Sequence, residues 1–304
     1  MKKIIGTLII AVASSIAFSQ QEYSYTFFND NRSFTNPAAV GTEGFGSVTG
    51  AFRTQWAGMD GAPTSGGVTF QMPLKNMGVG AMVYQDHIGV TNQTNIAGMY
   101  SYHLKISREH KVAFGVSAGM DLVNTKYDRL LYWDAGDQVF SNDYVNVIVP
   151  HIGIGAQYFF EDFYAGISVP RLVSVNSDQF NSINFADAPS MVTHAYLSSG
   201  YTFRLKNDVS LIPSILAKYT KNTPPRVDVS FTTMYKDMLG FGLAYKSLGF
   251  LSVYMKYQLK DFFVIGYGFD FSMNALQSYS KGSHEVMLQY RFGTTRSMGA
   301  ARMN

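Results

Sequence analysis

A serine poised for attack, a histidine to activate it, grouped carboxylates for a metal, and thiols are the residue types whose spacing would announce catalysis. Gly115-Val116-Ser117-Ala118-Gly119 fits a nucleophile elbow, but that elbow needs a strand-to-helix turn, and this run sits inside an alternating, strand-like stretch with no helical pattern after it. His103, His151, His194 and His284 fall on separate stretches without a partner readable from sequence, so wall or girdle positions are expected. Asp134, Asp137 and Asp143 share one long connection but lack the alternate-residue order and closing glutamate of a calcium loop, which makes them solvated loop carboxylates. With no cysteine, thiolate catalysis, cysteine-ligated zinc, iron–sulfur clusters and disulfides are excluded. No enzyme activity, cofactor or metal is therefore expected.

The elements that must carry these side chains are strands. Leu251, Val253, Met255, Tyr257 and Leu259 alternate with polar Ser252, Lys256 and Gln258; Phe263, Ile265, Tyr267, Phe269 and Phe271 form a second such series. In Val286, Leu288, Tyr290 and Phe292 the same period of two interleaves with Glu285, Gln289 and Arg291, which marks strands with one apolar and one polar face. About fourteen stretches of roughly the length needed to cross a bilayer at a tilt follow one another. Their centres fall at Ala51, Val68, Ala81, Gly98, Val116, Ile154, Ala165, Tyr196, Ile215, Ser230, Gly242, Val253, Gly266 and Leu288. Short links (Pro73 to Met77, Lys105 to Lys111, Phe160 to Phe163, Lys206 to Asp208, Lys236 to Met238, Lys260 to Asp261) follow the even strands. The longest, Lys126 to Asn146, Arg171 to Ser190 and Asn274 to Ser283, follow odd ones, as in an outer-membrane barrel with short periplasmic turns and long outer loops. Lys246 to Gly249 is short for an outer link, and a miscount is expected there if anywhere.

A secreted β-sandwich also alternates. It would not bracket its strands with aromatics as Phe52 and Trp56, Tyr100 and Tyr102, or Tyr201 and Phe203 do here, in the manner of interfacial girdles. In composition, 15% charged residues is low against the roughly 25% of soluble domains and 15% aromatic is more than an ordinary core requires, which excludes a disordered chain, and a net charge of +3 is too small to imply nucleic acid. On the polar parity, Arg53, Asp121, Lys256, Asp270, Glu285 and Arg291 are either a pore lining or an internal salt-bridge network. Gly78 with Gly80, and Gly153 with Gly155, serve either sheet curvature or a crowded lumen.

Met1 to Ser19 reads as a secretory signal, with Lys2 and Lys3 before an apolar run and small residues at Ala17 and Ser19. The division that follows is 1–19 signal peptide, 20–45 N-terminal periplasmic or lumenal segment, 46–293 barrel and 294–304 tail. Within the N-terminal segment Asn36-Pro37-Ala38 is locally a turn, and functionally a piece of chain inside or beneath the barrel.

Taken together, Asn36-Pro37-Ala38, Phe52-Arg53-Thr54-Gln55-Trp56, Gly61-Ala62-Pro63, Asp86 and Gly282-Ser283-His284-Glu285-Val286-Met287-Leu288 resemble the PorP/SprF family over essentially the whole mature chain. The tail from Gly293 to Asn304 departs from that pattern in being longer and more basic. The resemblance implies an outer-membrane component of the type IX secretion system and gliding motility machinery of Bacteroidetes, without enzymatic activity. As partners it implies outer-membrane lipid, a secreted surface protein or adhesin, and a periplasmic lipoprotein with other secretion-system components. The signature positions are Asn36, Pro37, Ala38, Arg53, Gln55, Trp56, Pro63, Asp86, His284 and Glu285, and a pairing of Arg53 with Glu285 across the closing seam is expected. The competing function is a channel for diffusion or uptake of a small substrate, including an apolar one.

Overall fold

A computed structural model describes residues 25–126, 144–174, 193–221, 223–260 and 262–293. Strands β1 (Gly46–Thr54), β2 (Thr64–Leu74), β3 (Met77–Ile88), β4 (Thr91–Lys105), β5 (His110–Lys126), β6 (Tyr144–Phe160) and β7 (Phe163–Ser174) make the first half of the wall. After them β8 runs over His194–Tyr201 and resumes past Thr202 at Phe203–Arg204. The rest are β9 (Val209–Thr220), β10 (Arg226–Tyr235), β11 (Leu239–Lys246), β12 (Phe250–Leu259), β13 (Phe263–Ser272) and β14 (Ser283–Phe292). Every neighbour is antiparallel, and β14 pairs back onto β1 from Gly46↔Phe292 to Thr54↔His284, closing a barrel of 14 strands. Each of the fourteen expected centres falls within its strand.

The side-chain pattern is the reverse of a soluble protein's. Phe52, Ile167 and Leu288 are 56%, 58% and 52% exposed, while Asp121, Asp270 and Glu285 are fully buried. Alternation along each strand sends the apolar set outward and the polar set into the lumen, which is the arrangement that lipid, acting as the outer solvent, selects. Closure leaves no sheet edge, so strand amides find partners inside the wall.

Six tight connections lie at one end of the barrel, called here the turn end. Two of them, Asn207-Asp208 and Lys236-Asp237, hold both residues at positive φ, the twist that lets a short hairpin join two right-handed strands. The first link at the opposite, loop end spans 55–63 and those after β5 and β7 are longer; β11 and β12 are joined there by Ser247 to Gly249. That short link is a genuine hairpin and no miscount, and it is not the only one: Gly89 and Val90 join β3 to β4 at the same end, Gly89 having φ +57°. Asp134, Asp137, Asp143, the signal segment and the tail from Thr294 lie outside the described residues.

Candidate functional site

The lumen is occupied by the chain's own N-terminal segment, so of the two expected locations residues 25–43 take the lumenal one. Tyr25, Phe27, Phe28, Ala38, Ala39 and Val40 are buried inside the wall. The path is directional. Thr26 meets Glu285, Asp270 and Lys246, all near the loop end of their strands, and Val40 meets Gly78, Ser101 and His103 near the turn end, from which the chain passes into β1.

At the loop end the Arg53 guanidinium donates to Glu285 Oε2 at 3.0 Å and also pairs with Asp270. Lys246 Nζ lies 2.9 Å from Asp270 Oδ2 and 3.0 Å from Thr26 Oγ1. Two cations and two anions thus meet out of water, where an uncompensated charge would be very costly. Register explains the meeting: Arg53 stands opposite Glu285, and Glu285 opposite Gly268, two residues along the strand from Asp270. Glu285 does more than neutralise, since its carboxylate accepts the backbone N–H of Thr26 at 2.9 and 3.1 Å and that of Phe27 at 3.3 Å.

Below this cluster the Phe27 ring packs edge-on to Tyr254 at 5.5 Å, in a group with Ala244, Val264 and Met287. Phe28 packs with Tyr196 and Leu216 on the other side. Lys256 pairs with Asp30, Tyr164 Oη donates to Asn29 Oδ1 at 2.8 Å, and the Arg32 guanidinium lies 4.6 Å from the centre of the Tyr164 ring.

Asn36 caps the short turn Pro37–Ala39, its Oδ1 accepting Ala38 N–H at 2.9 Å while its Nδ2 donates to the Ala156 carbonyl at 3.2 Å. The wall beside this turn is glycine because nothing larger fits. A Cβ on Gly155 would sit 2.1 Å from Asn36 Oδ1, one on Gly115 2.2 Å from Ala38 N, and one on Gly78 2.0 Å from Val40 O. The lumen-facing glycines therefore serve crowding. Gly153 is tight for another reason, facing the Pro170 carbonyl where β6 and β7 slip out of register.

The charges on the polar parity form internal networks. Asp121 accepts Arg171 Nε at 2.9 Å and Nη2 at 3.0 Å, together with Asn95 Nδ2 at 2.9 Å and Gln93 Nε2 at 3.1 Å. Arg291 donates to Gln289 and Gln258, and Lys218 pairs with Asp228 at 3.0 Å.

The ten signature positions separate into groups. Asn36, Pro37 and Ala38 are in the lumenal segment, Arg53 and Glu285 in the charge cluster that holds it, and Asp86 is in the wall, accepting Ser65 Oγ–H at 2.6 Å. Gln55, Trp56 and Pro63 shape the first loop: Gln55 N–H donates to the Pro63 carbonyl at 2.9 Å, and Trp56, at φ +48°, donates its N–H to Ser283 Oγ at 3.1 Å. His284, adjacent to Glu285, points the other way and shares a hydrogen bond of 2.8 Å with Tyr267 Oη on the outer surface. His151 and His103 face inward, onto Asn95 and onto Ser101 with the Val40 carbonyl. Ser117, in the middle of β5, is a buried wall residue. Sequence reasoning missed Lys246, Thr26 and Asp30, and their being ionisable or hydroxyl-bearing residues on a lumenal parity or in the N-terminal segment was the only signal for them.

No curated protein matches the sequence. Among solved structures the chain is similar to the toluene transporter TodX of Pseudomonas putida, at 9% identity and a TM-score of 0.49, over 89% of this chain and 94% of that one. It is similar to a FadL homologue of Pseudomonas aeruginosa at 12% identity and a TM-score of 0.47, over 84% and 91%. For the KdgM porin the values are 10% and 0.40, over 81% and 99%. A family described as type IX secretion system membrane protein PorP/SprF matches residues 17–290, and this outer-membrane barrel belongs to that family.

Proposed function

We propose that this barrel acts without turnover in the secretion or surface attachment of a partner protein, such as a gliding adhesin, alongside periplasmic lipoprotein and other secretion-system components. The observation that carries the reading is the filled lumen. Residues 25–43 occupy the space a solute would cross, and ion pairs, backbone hydrogen bonds and close glycine contacts hold them there. A diffusion channel would leave that path to water. A rigid wall with a blocked centre instead offers its strand ends and its larger loops to a macromolecule, and recognition by loops on a fixed scaffold is a common solution. Membership of a type IX secretion family supports the same class of work.

The test is affinity purification of the tagged mature protein from its native outer membrane in mild detergent, with co-purifying proteins identified by mass spectrometry. Secretion-system components or a large surface protein are expected in stoichiometric yield. Recovery of the barrel alone, together with steady conductance of the purified protein in a planar bilayer, would replace this reading with the channel.

A further inference from the structure

The loop end of the lumen is built as a receptor for a peptide turn: residues 26–30 form one, with the Asp30 N–H donating to the Phe27 carbonyl at 3.0 Å. A fully buried carboxylate, Glu285, takes two successive backbone N–H groups, a mode of contact that reads main chain and is indifferent to side chain. Around it are three side-chain subsites. Lys246 and Asp270 meet a small hydroxyl, Thr26 Oγ1, at 3.0 and 3.4 Å. Gly266 and Gly268, bare of side chains, with Tyr254, leave a slot for the Phe27 ring, since a Cβ on Gly266 would come within 2.7 Å of it. Tyr196 and Leu216 receive the Phe28 ring. Arg53 and Lys246 offset the charge of Glu285 and Asp270, so the receptor carries no net charge of its own.

We infer that this is a peptide-binding site which residues 26–28 fill as an intramolecular ligand, and which a turn-forming segment of a partner protein, carrying a small hydroxyl residue followed by two aromatic ones, takes in their place. As a statement about the secreted partner this rests on the function proposed above; as a statement about the site it does not. The tether gives the chain's own segment an effective concentration on the order of millimolar, so a segment in trans enters only when that grip is loosened or the partner is itself held nearby by the loops.

Peptide binding to the purified full chain in detergent micelles tests the site, with a fluorescein-labelled synthetic peptide of the sequence Tyr25 to Phe34 as the probe and fluorescence anisotropy as the readout. Phe27→Ala with Phe28→Ala in the protein should empty both ring subsites. The peptide should then bind saturably, about tenfold or more tighter than to the unsubstituted protein. Replacing both phenylalanines in the peptide, or adding Glu285→Gln to the protein, should reverse that gain. Retained heat-modifiable migration on a gel shows that the double variant folds. A protease site placed at exposed Gly44 and cut after folding keeps the wall unaltered, and excess unlabelled peptide should then release the cut segment. Equal binding of the phenylalanine-free peptide, absence of saturable binding to a folded double variant, or a cut segment that excess peptide does not displace would each overturn the inference. None of these outcomes bears on co-purification from the native membrane, which tests the secretion role by itself.

Discussion

Arg53 and Glu285 are far apart in sequence and opposite one another in space, and the pair is worth most when judged by what its loss leaves behind. Alanine at 53 strands the Glu285 carboxylate, leaving it only the two backbone amides, and alanine at 285 strands those amides and half of the guanidinium. Breaking one side of a buried ion pair costs about 3–5 kcal/mol, far more than the pair contributes net. Each single variant should therefore lose stability in that range in urea unfolding of the micellar protein. The double variant should lose clearly less than the two losses added together, because the second removal relieves the stranded charge. Additive losses, or none, would show that the seam pair is not coupled. Sequence placed both residues on the inward parity, and their mutual position followed from closing the first strand on the last. It did not supply Asp270 and Lys246 as the other half of the cluster, because parity fixes which face a side chain occupies and leaves its height along the barrel to the register of several strands.

The strands and the lumenal segment were legible to very different degrees, for a physical reason. A strand advertises itself locally, since lipid on one side and a polar lumen on the other impose a period of two that needs no distant information. The segment from Tyr25 to Glu43 has no period because it has no single face: wall surrounds it, and its contacts come from residues as remote as Ala156 and Glu285. Its nearest sequence trace was the glycine on lumenal parities, readable as curvature or as crowding until the Asn36 cap was seen against Gly155. That contact makes a prediction. Gly155→Ala would drive a Cβ to within 2.1 Å of Asn36 Oδ1, so the turn Pro37–Ala39 must leave its seat, while Gly98→Ala, whose nearest neighbour would be 4.0 Å away, disturbs nothing. Limited trypsin digestion in micelles should cleave after Arg32 in the first variant and spare that bond in the second and in the unsubstituted protein. Equal protection in all three would show that the glycine cradle does not position the segment.

At the scale of the whole molecule the decisive inversion is the apolar exterior, and one strand is enough to measure what surrounds it. In β12 the outward series Leu251, Val253, Met255, Tyr257, Leu259 runs from loop end to turn end, with Ser252 and Lys256 turned inward and buried. Met255 stands near mid-strand and Leu259 at the turn-end rim; both are about half exposed, at 48% and 45%, so contact with protein does not distinguish them. Depth in the bilayer does. Arginine on the lipid face of a barrel costs about 2–4 kcal/mol at the midplane and about 0–1 kcal/mol near the interface, where the side chain reaches headgroups. Met255→Arg should thus cost several times more than Leu259→Arg when unfolding is followed in lipid vesicles. In a soluble sandwich neither of two equally exposed positions would pay such a penalty, and the ranking by depth would vanish. Extending the comparison to Leu288 in β14, 52% exposed near the middle of its strand, should return the midplane cost again, because the apolar band is a property of the closed wall and not of one hairpin. A midplane cost in β12 without one in β14 would mean that the wall at β14 is covered, and would point to the strands on which a partner sits within the membrane.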